Sequence, residues 1–133
     1  MIKIFAICSA VICFLSSASA EEATVQNVIT AQISAFKKDD VVTAFTFASP
    51  KIQTLFGSPE NFGQMVRKSY PMVWRPTEVI FVRQKAKGGT VYQEMQFFDT
   101  SGNGHSFVYE MIDIAGTWKI NGVFKIKNTE VSA

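Results

Sequence analysis

Apolar residues recur at steps of three and four as far as Tyr70 and at steps of two beyond Pro76. The first spacing is that of a helix with one buried face, and the second is that of a half-buried strand. Helices therefore come first and strands afterwards. That order predicts an α+β domain, with N-terminal helices packed on one face of a curved, four-stranded antiparallel sheet.

Over residues 22–38, Val25, Val28, Ile29, Ile33 and Phe36 draw one stripe along a helix. "KKDD" follows, with lysines in the last turn and Asp39 or Asp40 placed to cap a second helix over residues 41–48. Val41, Ala44, Phe45 and Ala48 are expected to face inward there. Ser49-Pro50 and Ser58-Pro59 each read as an N-cap serine followed by proline at the first helical position. The first of these helices ends near Gly57, which can take the left-handed conformation. The second carries Phe62, Met65, Val66 and Tyr70 on one face, and Pro71 ends it.

Residues 78–85, 91–99, 106–114 and 118–127 read as strands. In the last of them Trp118, Ile120, Phe124 and Ile126 alternate with Lys119, Asn121, Lys125 and Lys127, so the first set is expected inside. Gly122 interrupts that row and predicts a bend or bulge. The connections "KGGT", "TSGNG" and "AGT" are short and contain glycine, which predicts antiparallel hairpins. The tail "NTEVSA" is expected to fray.

A lysine, an apolar run over residues 4–15 and the triplet Ala18-Ser19-Ala20 spell a secretory signal peptide over residues 1–20, with a single domain over residues 21–133. The run is shorter than the roughly 20 residues of a spanning helix. Cys8 and Cys13 both lie in the leader, so the mature chain can form no disulfide and depends on an ordinary core. Of the 13 basic residues Lys3 belongs to the leader, and 11 acidic ones nearly balance the rest. That balance argues against a nucleic-acid partner. The expected location is the periplasm or the exterior, with no membrane partner after cleavage.

"SYPMVWRP", residues 69–76, joins the helical half to the sheet. Tyr70, Trp74 and Arg75 bring a phenol, an indole N–H and a charged fork able to grip a carboxylate or phosphate. The prolines reduce the freedom lost when such a segment becomes ordered. The stretch is expected to border a pocket between helices and sheet. The alternative is structural, with Trp74 plugging the sheet against the helices and Arg75 paired with Glu78 or Asp113.

The string "AQISAFKKDDVVTAFTFASPKIQTLFGSPENFGQMV", followed by "YPMVWRP", resembles an exported bacterial domain-of-unknown-function family, number 4864. The resemblance covers residues 25–126. It implies a place among the nuclear-transport-factor-2-like (NTF2-like), cystatin-like α+β cones, a superfamily that also holds polyketide cyclases and ketosteroid isomerase. Many cyclase-like members carry an acidic residue where the second helix runs out. Here the stretch reads "FASPKI", without a carboxylate, which weakens any transfer of proton-abstraction chemistry.

Other residues offer little chemistry. A Ser106–His105–Asp99 triad fails because neighbours on a strand point to opposite faces, and His105 reads as an exposed hairpin residue. One histidine and no mature cysteine leave no transition-metal site. Asp99, Ser101 and Asn103 alternate as in a calcium loop, but no closing glutamate follows, and a polar turn explains them. No cofactor is expected. The leading reading is a small amphipathic or anionic ligand, or a protein partner, held in a pocket by Tyr70, Trp74, Arg75 and Tyr109. The alternatives are a lyase or isomerase using Glu94, Glu110 or Asp113 as proton carrier and Tyr70 or Tyr109 as donor, and a dimeric interaction module.

Overall fold

The computed structural model describes residues 17–127. The apolar run over residues 4–15 and the tail "NTEVSA" lie outside the described residues, and the expected cleavage point after Ala20 falls in the first turn of helix α1 (Ser17–Lys37). Four shorter helices follow: α2 (Val41–Thr46), α3 (Pro50–Phe56), α4 (Pro59–Ser69) and α5 (Pro71–Trp74). Strands β1 (Glu78–Lys87), β2 (Thr90–Phe98), β3 (Gly104–Ile114) and β4 (Thr117–Lys125) then form one antiparallel meander in the order β1-β2-β3-β4. No helix among the described residues is long and apolar enough to cross a membrane.

The predicted stripe of α1 is buried at Val25, Ile29, Ile33 and Phe36. Asp39 ends the helix in the left-handed conformation, at φ 57°. The Asp40 N–H donates to the Ala35 carbonyl and that of Asp39 to Phe36, which together make a Schellman stop. The Asp40 carboxylate then accepts from the Thr43 N–H as the N-cap of α2. Ser49 and Ser58 cap α3 and α4 in the same way. In α4, Gly63 lies against Val41 of α2, where a methyl group would clash.

Two helical boundaries differ from expectation. Helix α2 stops at Thr46 rather than Ala48, because residues 47–49 pair with the sheet. The Ile120 N–H donates to Phe47 and the Ser49 N–H to Ile120, which makes a short parallel bridge along the free edge of β4. Hydrogen bonds that α2 would have continued are thus made to a strand, and an exposed edge is covered. Pro71 ends α4 as expected but also opens a single helical turn, so the proline-rich link contains a fifth helix, α5, that was not expected.

The sheet buries alternate residues, most regularly Val91, Gln93, Met95 and Phe97 on β2 and Phe107, Tyr109 and Met111 on β3. On β4 the alternation breaks. Ile120 pairs with Met111 and Gly122 with Glu110, so Asn121 is an extra residue at the bulge that Gly122 led one to expect. One inserted residue exchanges the two faces of a strand. Past the bulge Val123 packs on the core and Phe124, expected inside, is 56 % exposed.

Candidate functional site

Between the helices and the inner face of the sheet lies a cavity of about 300 Å³. Its walls are mainly apolar: Phe36 of α1, Phe62 and Val66 of α4, and Ile120 and Val123 of β4. Lys51, Leu55 and Phe124 also line it and are exposed, which marks the mouth between α3 and the end of β4. The bulge at Asn121 is what turns Val123 toward the hollow.

Four uncharged polar side chains reach the wall: Gln32, Tyr70, Tyr109 and Asn121. Two are committed to the fold. Gln32 Nε2 donates to the Ala44 carbonyl at 3.2 Å. Asn121 Oδ1 accepts from Ser49 Oγ at 2.8 Å, and its Nδ2 donates to Glu110 Oε2 at 3.1 Å. "FASPKI", which carries no carboxylate, therefore contributes the hydroxyl that holds the bulge residue. The tyrosines differ, since neither hydroxyl has a hydrogen-bond partner among the described residues. Tyr109 is 1 % exposed, and burial raises its phenol well above the usual value, so it stays protonated.

The structure separates the four residues singled out as a ligand site. Tyr70 and Tyr109 line the cavity, Tyr70 lying edge-on to Phe107 at 5.9 Å. Trp74 and Arg75 do not line it. The Trp74 ring packs behind the wall on Phe36, with centroids 5.4 Å apart, and the Arg75 guanidinium lies over that indole at 5.0 Å. Arg75 donates to the Phe36 and Trp74 carbonyls and to Asp39, not to Glu78 or Asp113. It joins the last turn of α1, at the Phe36 carbonyl, to the end of α5, at the Trp74 carbonyl, and this geometry corrects the expectation that the guanidinium borders the hollow. Val73 was not singled out, yet it faces the cavity from the same turn. Its signal lay only in helical spacing from Tyr70, which shows once the link is known to be a helical turn.

None of the candidate proton carriers is on the wall. Glu94 is on the outer face, paired with Arg83 Nε at 2.6 Å. Asp113 is exposed beside the last hairpin, and Glu110 meets the site only through Asn121. Among the described residues, the lining contains no carboxylate and no histidine.

His105 is half-buried rather than exposed, because its Nε2 lies 2.8 Å from Asp99 Oδ2. The other Asp99 oxygen accepts from the Ser101 and Asn103 N–H groups, so this carboxylate organises the β2–β3 turn. Among the described residues no group of three potential ligands could hold a metal ion. The hydrogen bond from His105, followed by those from the turn, holds the Asp99 carboxyl below its ordinary value of 3.8. A depressed carboxyl stabilises the fold above its unfolded value, and the contribution is lost as pH falls through the folded one. The Ser101 and Asn103 amide resonances are accordingly expected to titrate together with a midpoint below 3.8, and Asp99→Asn is expected to abolish that titration.

A family described as "Domain of unknown function (DUF4864)" matches residues 18–133. No curated protein matches significantly. Among solved structures, an NTF2-like protein of unknown function from Shewanella baltica OS155 superposes with a TM-score of 0.58 at 14 % identity, covering 84 % of this chain and 96 % of that one. An NTF2-like protein of unknown function from Burkholderia xenovorans LB400 gives 0.45 at 16 % identity, covering 80 % and 90 %. The first likeness shows the fold: helices on a four-stranded antiparallel sheet of the NTF2-like kind, as the resemblance implied.

Proposed function

We propose that this chain, which belongs to the DUF4864 domain-of-unknown-function family, binds a small, largely apolar molecule in the cavity between its helices and its sheet, and that it does so outside the cytoplasm after losing its leader. One observation supports the reading above others. A domain of this size ordinarily packs its interior to near-crystalline density, yet here about 300 Å³ is left open between layers and walled mainly by aliphatic and aromatic side chains. That volume is at the lower end of the range for small-molecule sites, and the sparse polar groups are also typical of them.

The anionic part of the earlier reading moves with Arg75. Among the described residues the only charged one on the wall is Lys51, at the mouth, so any negative group of the ligand belongs there and not in the interior. A lyase or isomerase gains no support from a wall without a carboxylate.

Ethylbenzene tests the reading. It is expected to bind saturably, moving the amide resonances of Phe36, Tyr109 and Val123 in an NMR titration. Val123→Trp, which puts an indole into the space, is expected to weaken that binding about tenfold or more, equivalent to about 1.4 kcal/mol. Absence of a saturable shift up to the solubility of the hydrocarbon would refute it.

A further inference from the structure

We infer that the inner end of the cavity takes an uncharged hydrogen-bond acceptor, a ketone, ester or amide oxygen, bound by the Tyr109 hydroxyl. The inference rests on the binding reading above and gives its ligand a chemical class and an orientation.

Three observations lead to it. Tyr109 is fully buried at the wall, stacked on Phe97 at 6.2 Å, and its hydroxyl has no hydrogen-bond partner among the described residues. Phenylalanine would fill the same shape, so no described contact of the fold uses the oxygen, whereas an acceptor bound in the cavity that Tyr109 lines would engage it. Second, the phenol is held in its protonated form by burial and so can donate at neutral pH. Third, two of the other three uncharged polar groups on the wall are poor competitors, since the Gln32 amide nitrogen donates to Ala44 and both ends of the Asn121 amide are occupied, and the remaining one, Tyr70, is only half-buried. Charge is disfavoured at this depth because the lining cation, Lys51, is at the exposed mouth, and a carboxylate beside Tyr109 would be buried without a counter-ion. The ligand is thus apolar along its length, with a carbonyl inward and any anionic group outward.

Acetophenone and ethylbenzene have nearly the same shape and differ in the carbonyl. Tyr109→Phe is expected to lower acetophenone affinity about five- to tenfold, the worth of one hydrogen bond, while leaving ethylbenzene affinity and the stability of the unliganded protein unchanged or higher. In the infrared the carbonyl band of bound acetophenone is expected at a hydrogen-bonded frequency in the native protein and in Tyr70→Phe, but at a free frequency in Tyr109→Phe. Equal losses for both ligands, or no loss for the ketone, would overturn the inference while leaving the cavity reading intact. Benzoate binding more tightly than acetophenone would overturn it too. Failure of ethylbenzene itself to bind counts against the cavity reading instead. Should Tyr109→Phe not fold, the band in the native protein decides, and a free carbonyl frequency there refutes the assignment.

Discussion

Replacing Phe36 by alanine is expected to destabilise the domain by about 3 kcal/mol, at the lower end of the usual range for a buried phenylalanine. The ring is 1 % exposed and joins three parts of the structure. It contacts Phe62 of α4 with centroids 5.9 Å apart and Trp74 of α5 at 5.4 Å, and it forms part of the cavity wall. The lower end applies because a side chain that borders a hollow has already lost contacts on one side, so its removal forfeits less dispersion energy. Against a total stability of about 5–15 kcal/mol the loss is nevertheless large. It should appear as a lower midpoint of urea denaturation with an unchanged slope. The same substitution enlarges the cavity, so ligands bulkier than ethylbenzene should raise the midpoint of the variant more than that of the native protein.

Arg75→Ala is expected to cost about 1–2 kcal/mol and to leave ethylbenzene affinity within about twofold of native. Four interactions would be lost, to the Phe36 and Trp74 carbonyls, to Asp39 and to the Trp74 ring. Their sum is discounted because the guanidinium is 42 % exposed and water competes for it. Arg75→Lys should recover only part of the stability, since an ammonium cannot serve two carbonyls and a carboxylate as a planar fork does. Denaturation and binding measured on the same samples separate the two roles of this residue. If binding fell tenfold with stability intact, the guanidinium would be a ligand contact and the placement of the site would be wrong.

The fates of Arg75 and Phe124 show where sequence reading stops. Strand alternation is a local property, and β2 and β3 could be read because each inner residue has its neighbour two positions away. On β4 the same rule fails after Asn121, where the bulge is held by Ser49, 72 positions earlier, and by Glu110 on the neighbouring strand. Gly122 announced an irregularity, but not that Val123 would replace Phe124 on the inner face. Arg75 was recognisable as a residue with a fixed purpose, but besides its neighbour Trp74 its partners are in the last turn of α1 and just beyond. Asp39 reaches it only because that residue adopts a left-handed backbone, which "KKDD" does not reveal. Tyr70 was legible as part of the wall because the helical face of α4 points there. Tyr109 was also named, but the feature that now distinguishes it, a hydroxyl without a protein partner, depends on everything packed around it.

The hollow itself is the claim on which the rest depends, and a crystal under xenon pressure probes it directly, since xenon enters dry apolar cavities and not close-packed cores. The account predicts xenon density in the space bounded by Phe36, Val66, Tyr109 and Val123. An interior in which these side chains meet one another and no xenon is taken up would contradict it.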